Sequence, residues 1–130
     1  MDKSFDEWNL VKKKINFQPK KAYYHPREVW WCSLGINIGS EQDGTGQNYD
    51  RPVLILKGFN RDSLLVIPMT GKRKIGKYYF YIGRISDRES SAIFSQIRLI
   101  DSKRLLRKMG MIDKATFAKI KTALVAALFE

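Results

Sequence analysis

Two points in this chain could act on a phosphate group. Arg51 precedes Pro52 at the start of an apolar run, and Thr70 precedes Gly71 at the end of another. A firmly held guanidinium can neutralise charge on a phosphorane-like transition state, and a hydroxyl at a strand end can hydrogen-bond a phosphate oxygen. Composition alone also fits a structural alternative, in which Arg51 forms an ion pair with Glu41 across the intervening loop.

The sequence contains few residues that would support other kinds of catalysis. His25 is the one histidine of the sequence, so the histidine pair of one ribonuclease class is missing, and its place beside Pro26 favours a surface position. The sequence shows no carboxylate cluster for a divalent metal and no phosphate-binding glycine loop with its lysine. Cys32 lies in an apolar run and is expected to be buried. We therefore expect neither a metal nor another cofactor.

The charge of the chain favours a polyanionic partner. Its 130 residues carry a formal net charge of +11, and the interval 51–108 holds fourteen Lys or Arg and four acids. The basic segment 71–77 (GKRKIGK) precedes four aromatic residues at 78–81, a combination that could bind single strands through phosphates and stacked bases. A solvated basic surface, with about half of those rings in the core, is the alternative interpretation.

Length and hydropathy bound the class of protein. Hydrophobic residues make up 44% of the chain, which suffices for the core of one domain. No run approaches the ~20 apolar residues that cross a bilayer. Residues 1–14 include three acids and no continuous apolar segment, unlike a signal peptide. We expect a protein of the reducing cytoplasm.

Short strands separated by turns dominate the predicted structure. They are expected at 29–34, 53–56, 64–69 and 78–82, with one or two more in 92–100 and a helical turn over 101–107. Pro68 suggests an edge strand or a bulge. Five or more strands at this spacing predict a small antiparallel barrel.

A helix is predicted at each end of the chain. Ser4 and Glu7 form a potential capping box for a helix over 5–14, and Asp113 precedes an amphipathic helix over 114–128. We divide the chain into an N-terminal helical extension, 1–25, and a main domain, 26–130. The extension is expected to pack on the domain or on a partner.

Seven segments, taken in order, resemble the MazF/PemK family of toxins over about residues 26–128. These segments are 28–31 (EVWW), 39–42 (GSEQ), 51–56 (RPVLIL), 66–70 (VIPMT), 95–101 (SQIRLID), 104–105 (RL) and 108–110 (KMG). The resemblance implies a mainly β fold with helices (α+β), an SH3-like small barrel of the MazF/PemK/CcdB type. The extra N-terminal helix and the C-terminal helix would flank this barrel, and the protein would be a homodimer.

The same resemblance implies a function. Members of the family are toxins of type II toxin–antitoxin systems that cut single-stranded RNA at selected sequences without a metal. The 2′-hydroxyl attacks the adjacent phosphate, which yields a 2′,3′-cyclic phosphate and a 5′-hydroxyl. A cognate acidic antitoxin blocks the RNA groove, so an RNA substrate and an acidic inhibitor both suit the charge of +11.

Site residues follow from the matching positions. Arg51 matches the catalytic arginine, Thr70 matches the residue that positions the scissile phosphate, and Glu41 matches an acid that either orients Arg51 or assists the 2′-hydroxyl. Gln96 matches a polar position near the RNA groove. Charge and location add four candidates for substrate binding, namely Lys72, Arg73, Lys74 and Arg98.

Two departures and two rival functions stay open at this point. The family core needs only a few residues between the Glu-Gln pair and Arg-Pro, whereas residues 43–50 fill that interval here, and the core lacks the N-terminal helix. One rival is a gyrase-poisoning toxin of the CcdB branch, which does not use the Arg-Pro and Thr pair as a catalytic unit. The other is a noncatalytic RNA-binding module.

Overall fold

A curled antiparallel sheet with a helix at each end makes up the chain in the computed structural model, which describes residues 3–19, 22–46 and 49–130. The helices are α1 (Phe5–Phe17) and α2 (Lys114–Phe129). The strands are β1 (Glu28–Ser33), β2 (Asp50–Gly58), β3 (Ser63–Thr70), β4 (Tyr79–Ile85), β5 (Arg88–Ile93), β6 (Arg98–Asp101) and β7 (Leu105–Met111). Two 3-10 turns, Phe94–Gln96 and Ser102–Arg104, flank β6. This α+β arrangement confirms the expected fold class.

Strand β3 lies at the centre of the sheet and changes partner along its length. The sheet order is β4-β5-β3-β2-β1-β7, and β6 also pairs with β3. Ser63 to Val66 pair with β6, whereas Met69 and Thr70 pair with β5. Pro68 falls between these two stretches and pairs only with Val53 of β2, on the other side of β3. The expectation of an edge strand was therefore wrong, and an interruption in the pairing accommodates the proline.

The curled sheet separates two apolar clusters. Alternation in β1 sends Val29 into one cluster and Trp30 and Cys32 into the other. Helix α2 closes the first cluster with buried side chains, among them Ile120, which is fully buried. Burial also raises the pKa of the Cys32 thiol to about 12, as expected for a cysteine without a chemical role.

Two local expectations differ from the structure. Helix α1 extends to Phe17, and Ser4 makes no side-chain capping hydrogen bond, so the predicted capping box is not formed. The helical turn predicted over 101–107 is only the 3-10 turn Ser102–Arg104, after which β7 follows. β7 is an edge strand with Arg107, Lys108 and Met111 exposed, and its residues LLRKMGM lack the alternation of apolar and polar side chains that reveals a strand.

A buried carboxylate joins β1 to its surroundings. Glu28 Oε1 accepts hydrogen bonds from Trp30 Nε1 at 3.0 Å and from the backbone N–H of His25 at 2.8 Å. Lys108 Nζ of β7 lies 3.1 Å from Glu28 Oε2. Burial alone would raise the pKa of Glu28, but these donors and the lysine charge together hold it below its ordinary value.

We therefore expect Glu28→Gln to destabilise the protein by about 1–3 kcal/mol at neutral pH. A lowered folded-state pKa stabilises the protein above the unfolded-state pKa, and that contribution disappears as the pH falls through the folded-state value. The difference in the free energy of unfolding between wild type and Glu28→Gln should thus become smaller below pH 4.5, the ordinary pKa of a glutamate. Urea unfolding at several pH values measures it, with Glu130→Gln as an exposed control. A difference that does not change with pH would contradict the ionised state of Glu28.

Candidate active site

A depression of about 540 Å³ opens where β2 begins and β3 ends. Antiparallel pairing of these strands brings Arg51, at the start of β2, to the same end of the sheet as Thr70, at the end of β3. The residues that line the depression are Trp31, Thr45, Gly46, Asp50, Arg51, Pro52, Thr70, Gly71, Lys72, Arg88 and Arg107. Three sequence-predicted residues, Arg51, Thr70 and Lys72, therefore share one site, whose size suits a small ligand or a part of a larger one.

The Arg51 guanidinium is held by oxygen atoms from two directions. Its Nε donates to the backbone carbonyl of Asp43 at 2.8 Å, and its Nη1 donates to that of Met69, the residue before Thr70, at 3.3 Å. The Gln42 amide, with its oxygen assigned toward the guanidinium on hydrogen-bonding grounds, accepts from Nε, Nη2 and Nη1 at 2.7, 2.9 and 3.2 Å. Arg51 is thus a fixed cation with its charge only partly balanced.

The environment of Arg51 disfavours positive charge. Burial lowers the pKa of its guanidinium, the nearby Arg88 lowers it further, and the Asp43 carboxylate opposes both effects. A guanidinium stays protonated in proteins despite such shifts. A cation desolvated beside a second cation is stabilised when an anion arrives, so the depression is suited to a phosphate group.

Trp31, Arg88 and Arg107 form a second cationic group in the depression, which sequence reasoning missed. The Cζ atoms of Arg88 and Arg107 lie 5.2 and 5.0 Å from the centroid of the Trp31 ring. Arg107 Nη1 also lies 3.9 Å from Asp50 Oδ2. A Cβ atom at Gly71 would lie 2.7 Å from Arg88 Nη2, so glycine leaves room for the guanidinium beside Thr70. No sequence signal identified Arg107, because its strand was not predicted.

A separate depression of about 570 Å³ collects other predicted residues. It is lined by Asn37, Ser40, Glu41, Gln42, Ser95, Gln96, Ile97, Arg98 and Leu99. Gln96 Oε1 accepts from the backbone N–H of Gln42 at 2.9 Å, and Gln96 Nε2 donates to the Ser40 carbonyl at 3.4 Å. Gln42 therefore connects the two depressions, since its side chain holds Arg51 while its backbone holds Gln96.

The Glu41 carboxylate bonds to the backbone of its own loop rather than to Arg51. Its Oε1 accepts the backbone N–H of Ile38 at 2.9 Å, which closes a local turn. The oxygen atoms around Arg51 belong instead to Gln42, Asp43 and Met69. The expected ion pair between Glu41 and Arg51 is thus absent, because the local turn directs the carboxylate into the other depression. Asp50 is the one acidic residue among the described residues that line the Arg51 depression.

The basic loop between β3 and β4 is anchored by a buried serine. Ser91 Oγ donates to the Lys72 carbonyl at 2.7 Å and accepts from the Lys74 backbone N–H at 3.0 Å. The exposed Arg73 lies over the Tyr81 ring, with its Cζ 4.8 Å from the ring centroid. Lys72 lines the Arg51 depression, whereas Arg73 and Lys74 lie outside its lining.

Residues 3–19, 22–46 and 49–130 contain neither a cluster of metal ligands nor a membrane-spanning helix. No group of three or more His, Cys, Asp or Glu side chains is placed to hold a metal ion there. No helix in these ranges has the length and apolar character needed to span a bilayer.

The family of the chain follows from its match to a known sequence model. Residues 25–128 match the model of the PemK-like, MazF-like toxin of type II toxin–antitoxin systems. This chain belongs to the MazF/PemK toxin family. The match begins at residue 25, so α1 precedes the matched part of this MazF/PemK toxin. No curated protein matches the chain.

Solved structures share the fold of this MazF/PemK toxin at low sequence identity. MazF from Deinococcus radiodurans superposes with a TM-score of 0.69 at 17% identity, over 84% of this chain and 99% of that one. An endoribonuclease from a mycobacterial species, solved in complex with its cognate antitoxin, gives 0.63 at 20% identity, over 82% and 95%. The Mycobacterium tuberculosis toxin MazF-mt6 gives 0.57 at 17%, over 78% and 95%.

We expect Arg88→Ala to weaken the binding of a single-stranded DNA oligonucleotide, which carries phosphates but no 2′-hydroxyl. Loss of one phosphate contact should reduce the slope of log K against log salt by about 0.7. Fluorescence anisotropy at several salt concentrations measures both quantities. Lys119→Ala, on the exposed side of α2, should bind as wild type does, and an unchanged slope for Arg88→Ala would remove Arg88 from the binding surface.

Proposed function

We propose that this toxin is a metal-independent endoribonuclease that cuts single-stranded RNA at selected sequences. The observation that supports it best is the fixed Arg51 guanidinium in the same depression as the half-buried Thr70. Both residues occupy the positions that the resemblance to the family assigned to catalysis. Arg88 and Lys72 add positive charge beside them, where the chain of an RNA substrate would carry its phosphates.

The proposed reaction is an internal phosphoryl transfer. The 2′-oxygen forms a bond to the adjacent phosphorus and loses its proton, while the bond from phosphorus to the 5′-oxygen breaks and that oxygen gains a proton. The products are a 2′,3′-cyclic phosphate and a 5′-hydroxyl. Arg51 balances the charge that grows on the phosphoryl oxygens and assists proton transfer, and the Thr70 hydroxyl donates to one of these oxygens and orients the phosphate.

The second depression is proposed to bind nucleotides that flank the cleavage site. Gln96 and Arg98 supply an amide and a guanidinium there, and these groups can hydrogen-bond a base edge or a phosphate. Gln42 separates the two depressions, so one RNA strand that passes it would contact both. Sequence selection would then be concentrated in the second depression and chemistry in the first.

The proposed partners extend beyond RNA. The net charge of +11 favours an acidic antitoxin segment that competes with RNA for the same cationic surface. A homodimer is the proposed assembly, and the cytoplasm, where RNA and antitoxin are made, is the proposed location. Copurification with the product of a neighbouring short acidic gene would test the antitoxin assignment.

We expect Arg51→Ala to slow RNA cleavage by about a thousandfold and Thr70→Ala by about a hundredfold, because each removes a group that contacts the reacting phosphate. Thr70→Ser, which keeps the hydroxyl, should retain more activity than Thr70→Ala. Arg61→Ala, at the exposed far end of the hairpin between β2 and β3, is the matched control. Single-turnover cleavage of a long mixed-sequence RNA with excess EDTA, followed by mapping of the cut ends, gives rates and specificity together.

Each rival function predicts a different result in the same set of assays. An RNA left intact at high enzyme concentration, together with trapped gyrase–DNA complexes, would indicate a gyrase poison. Binding of RNA without cleavage, unaffected by Thr70→Ala, would indicate a noncatalytic module. Cleavage that stops on addition of EDTA would contradict the metal-independent reaction.

The carboxylates of Glu41 and Asp50 should differ in their effect on RNA cleavage. We expect Glu41→Gln to change the cleavage rate by no more than about threefold, since its side chain closes a turn outside the Arg51 depression. Asp50→Asn should slow cleavage more, because Asp50 lines that depression and lies against Arg107. Single-turnover rates with saturating RNA compare the two variants, and a larger loss for Glu41→Gln would restore Glu41 as a catalytic candidate.

A further inference from the structure

We propose that α1 and Lys3, which precede the family-matched segment, position Arg51 by fixing the β1–β2 loop. This loop comprises residues 34–49, of which 34–46 and 49 are described. It supplies both the Gln42 amide and the Asp43 carbonyl that hold the guanidinium. The inference rests on the proposed function in that Arg51 is taken as the catalytic cation.

Lys3 binds the loop at three points. Its Nζ lies 2.9 Å from Asp43 Oδ2 and donates to the carbonyls of Asn37 at 2.6 Å and Gly39 at 3.2 Å. The Lys3 side chain is partly buried, with 17% of it exposed. A shielded ion pair with two added hydrogen bonds is stronger than an exposed pair, so Lys3 ties the start of the chain to the loop.

Asp43 carries the constraint from Lys3 to Arg51. One carboxylate oxygen meets Lys3, and the other accepts the backbone N–H of Asn37 at 2.7 Å. The carbonyl of the same residue accepts from Arg51 Nε at 2.8 Å. Because side chain and carbonyl belong to one residue, a shift of the carboxylate moves an acceptor of Arg51.

Trp8 of α1 contacts both ends of the β1–β2 loop. Its indole is 6% exposed and packs on Gly35, where a Cβ atom would collide with the ring and where φ is +77°. Tyr49, at the far end of the loop, meets Trp8 edge to face with ring centroids 5.4 Å apart. The guanidinium of Arg104 lies over the indole, 5.8 Å from its centroid, and Arg104 Nη1 donates to the Ser33 carbonyl at 3.0 Å.

The contacts from Lys3 and Trp8 restrict the conformations of a long loop. The described residues of the loop form no helix or strand. They are held to one another by scattered hydrogen bonds, such as those from the Gly35 N–H to the Tyr49 carbonyl at 3.1 Å and from the Gly44 N–H to the Gly35 carbonyl at 2.8 Å, and by the isolated bridge between Thr45 and Asp50. An untied segment samples many conformations, and few of them keep both acceptors on Arg51. A displacement of about 1 Å at a reacting group can cost as much as a hundredfold in rate. Contacts from α1 therefore act on the rate of the chemical step rather than on RNA affinity.

The test compares Lys3→Met, which removes the charge and keeps the side-chain length, with Lys13→Met, an exposed lysine on α1, in the full chain. We expect Lys3→Met to lower kcat about tenfold while KM stays within about twofold, and Lys13→Met to match wild type. Lys3→Arg should restore most of kcat. An unchanged kcat, or a rise in KM alone, would overturn the proposal, because the latter indicates that Lys3 contacts RNA.

A double-mutant cycle tests whether Lys3 acts on Arg51 through Asp43. Asp43→Asn removes the charge partner of Lys3 but keeps an oxygen for Asn37 and the carbonyl for Arg51. If Lys3 acts through Asp43, the kcat of the double variant should fall no further than that of the more impaired single variant. Fully multiplicative losses would show that the two residues act independently and would overturn the relay.

A readout that needs no RNA separates this inference from the proposed function. Hydrogen exchange of the Arg51 Nε–H, followed by NMR of arginine side chains, reports its protection directly. We expect about tenfold faster exchange in Lys3→Met and Trp8→Ala than in wild type or Lys13→Met, provided circular dichroism shows folded protein. Inactive wild type with this exchange pattern would refute the nuclease but support the positioning. Equal exchange in the folded variants would overturn the positioning even if wild type cuts RNA.

Discussion

The site depends on the hydrogen bonds that hold the half-buried guanidinium of Arg51. A cation removed from water must regain its hydrogen bonds from the protein, and here two backbone carbonyls and one side-chain amide provide them. Because backbone carbonyls carry no net charge, the positive charge of Arg51 is not neutralised by them. Arg88 adds a second positive charge nearby, which lowers the pKa of Arg51 further. The surrounding structure tolerates a concentration of positive charge that would be relieved by a bound phosphate.

Antiparallel pairing explains why this charge is collected at one end of the sheet. The start of β2, the end of β3 and the strand pair β1–β7 meet there. Arg51 and Arg107 are therefore neighbours although 56 positions separate them in sequence. The β1–β2 loop then divides the surface into two depressions, and Gln42 contributes to both. The two depressions have separate linings, and Gln42, which lines the second, holds the guanidinium that lines the first.

The sequence predicted the fold class and the grouping of Arg51, Thr70 and Lys72, because these residues lie at strand ends that apolar runs make visible. It predicted the partners of Arg51 wrongly. Charge and the resemblance to the family both offered Glu41 as a partner of Arg51. Backbone carbonyls and an amide at residues 42, 43 and 69 hold the cation instead, and composition does not reveal such acceptors. Trp31, Arg88 and Arg107 were missed for a related reason, since their grouping depends on strand pairing in space and on the edge strand β7, whose sequence does not alternate between apolar and polar residues.

The proline within β3 has a consequence for how the chain reaches this structure. Pro68 interrupts donation at the point where β3 passes from β6 to β5. A slip of either partner along β3 would set a strand against a residue that cannot donate, and a one-residue slip would also turn apolar side chains to the wrong face. Pro68 therefore disfavours slipped registers of β5 and β6 along β3. It favours correct assembly in a sheet where distant segments must find each other, which is the slow part of folding for β proteins.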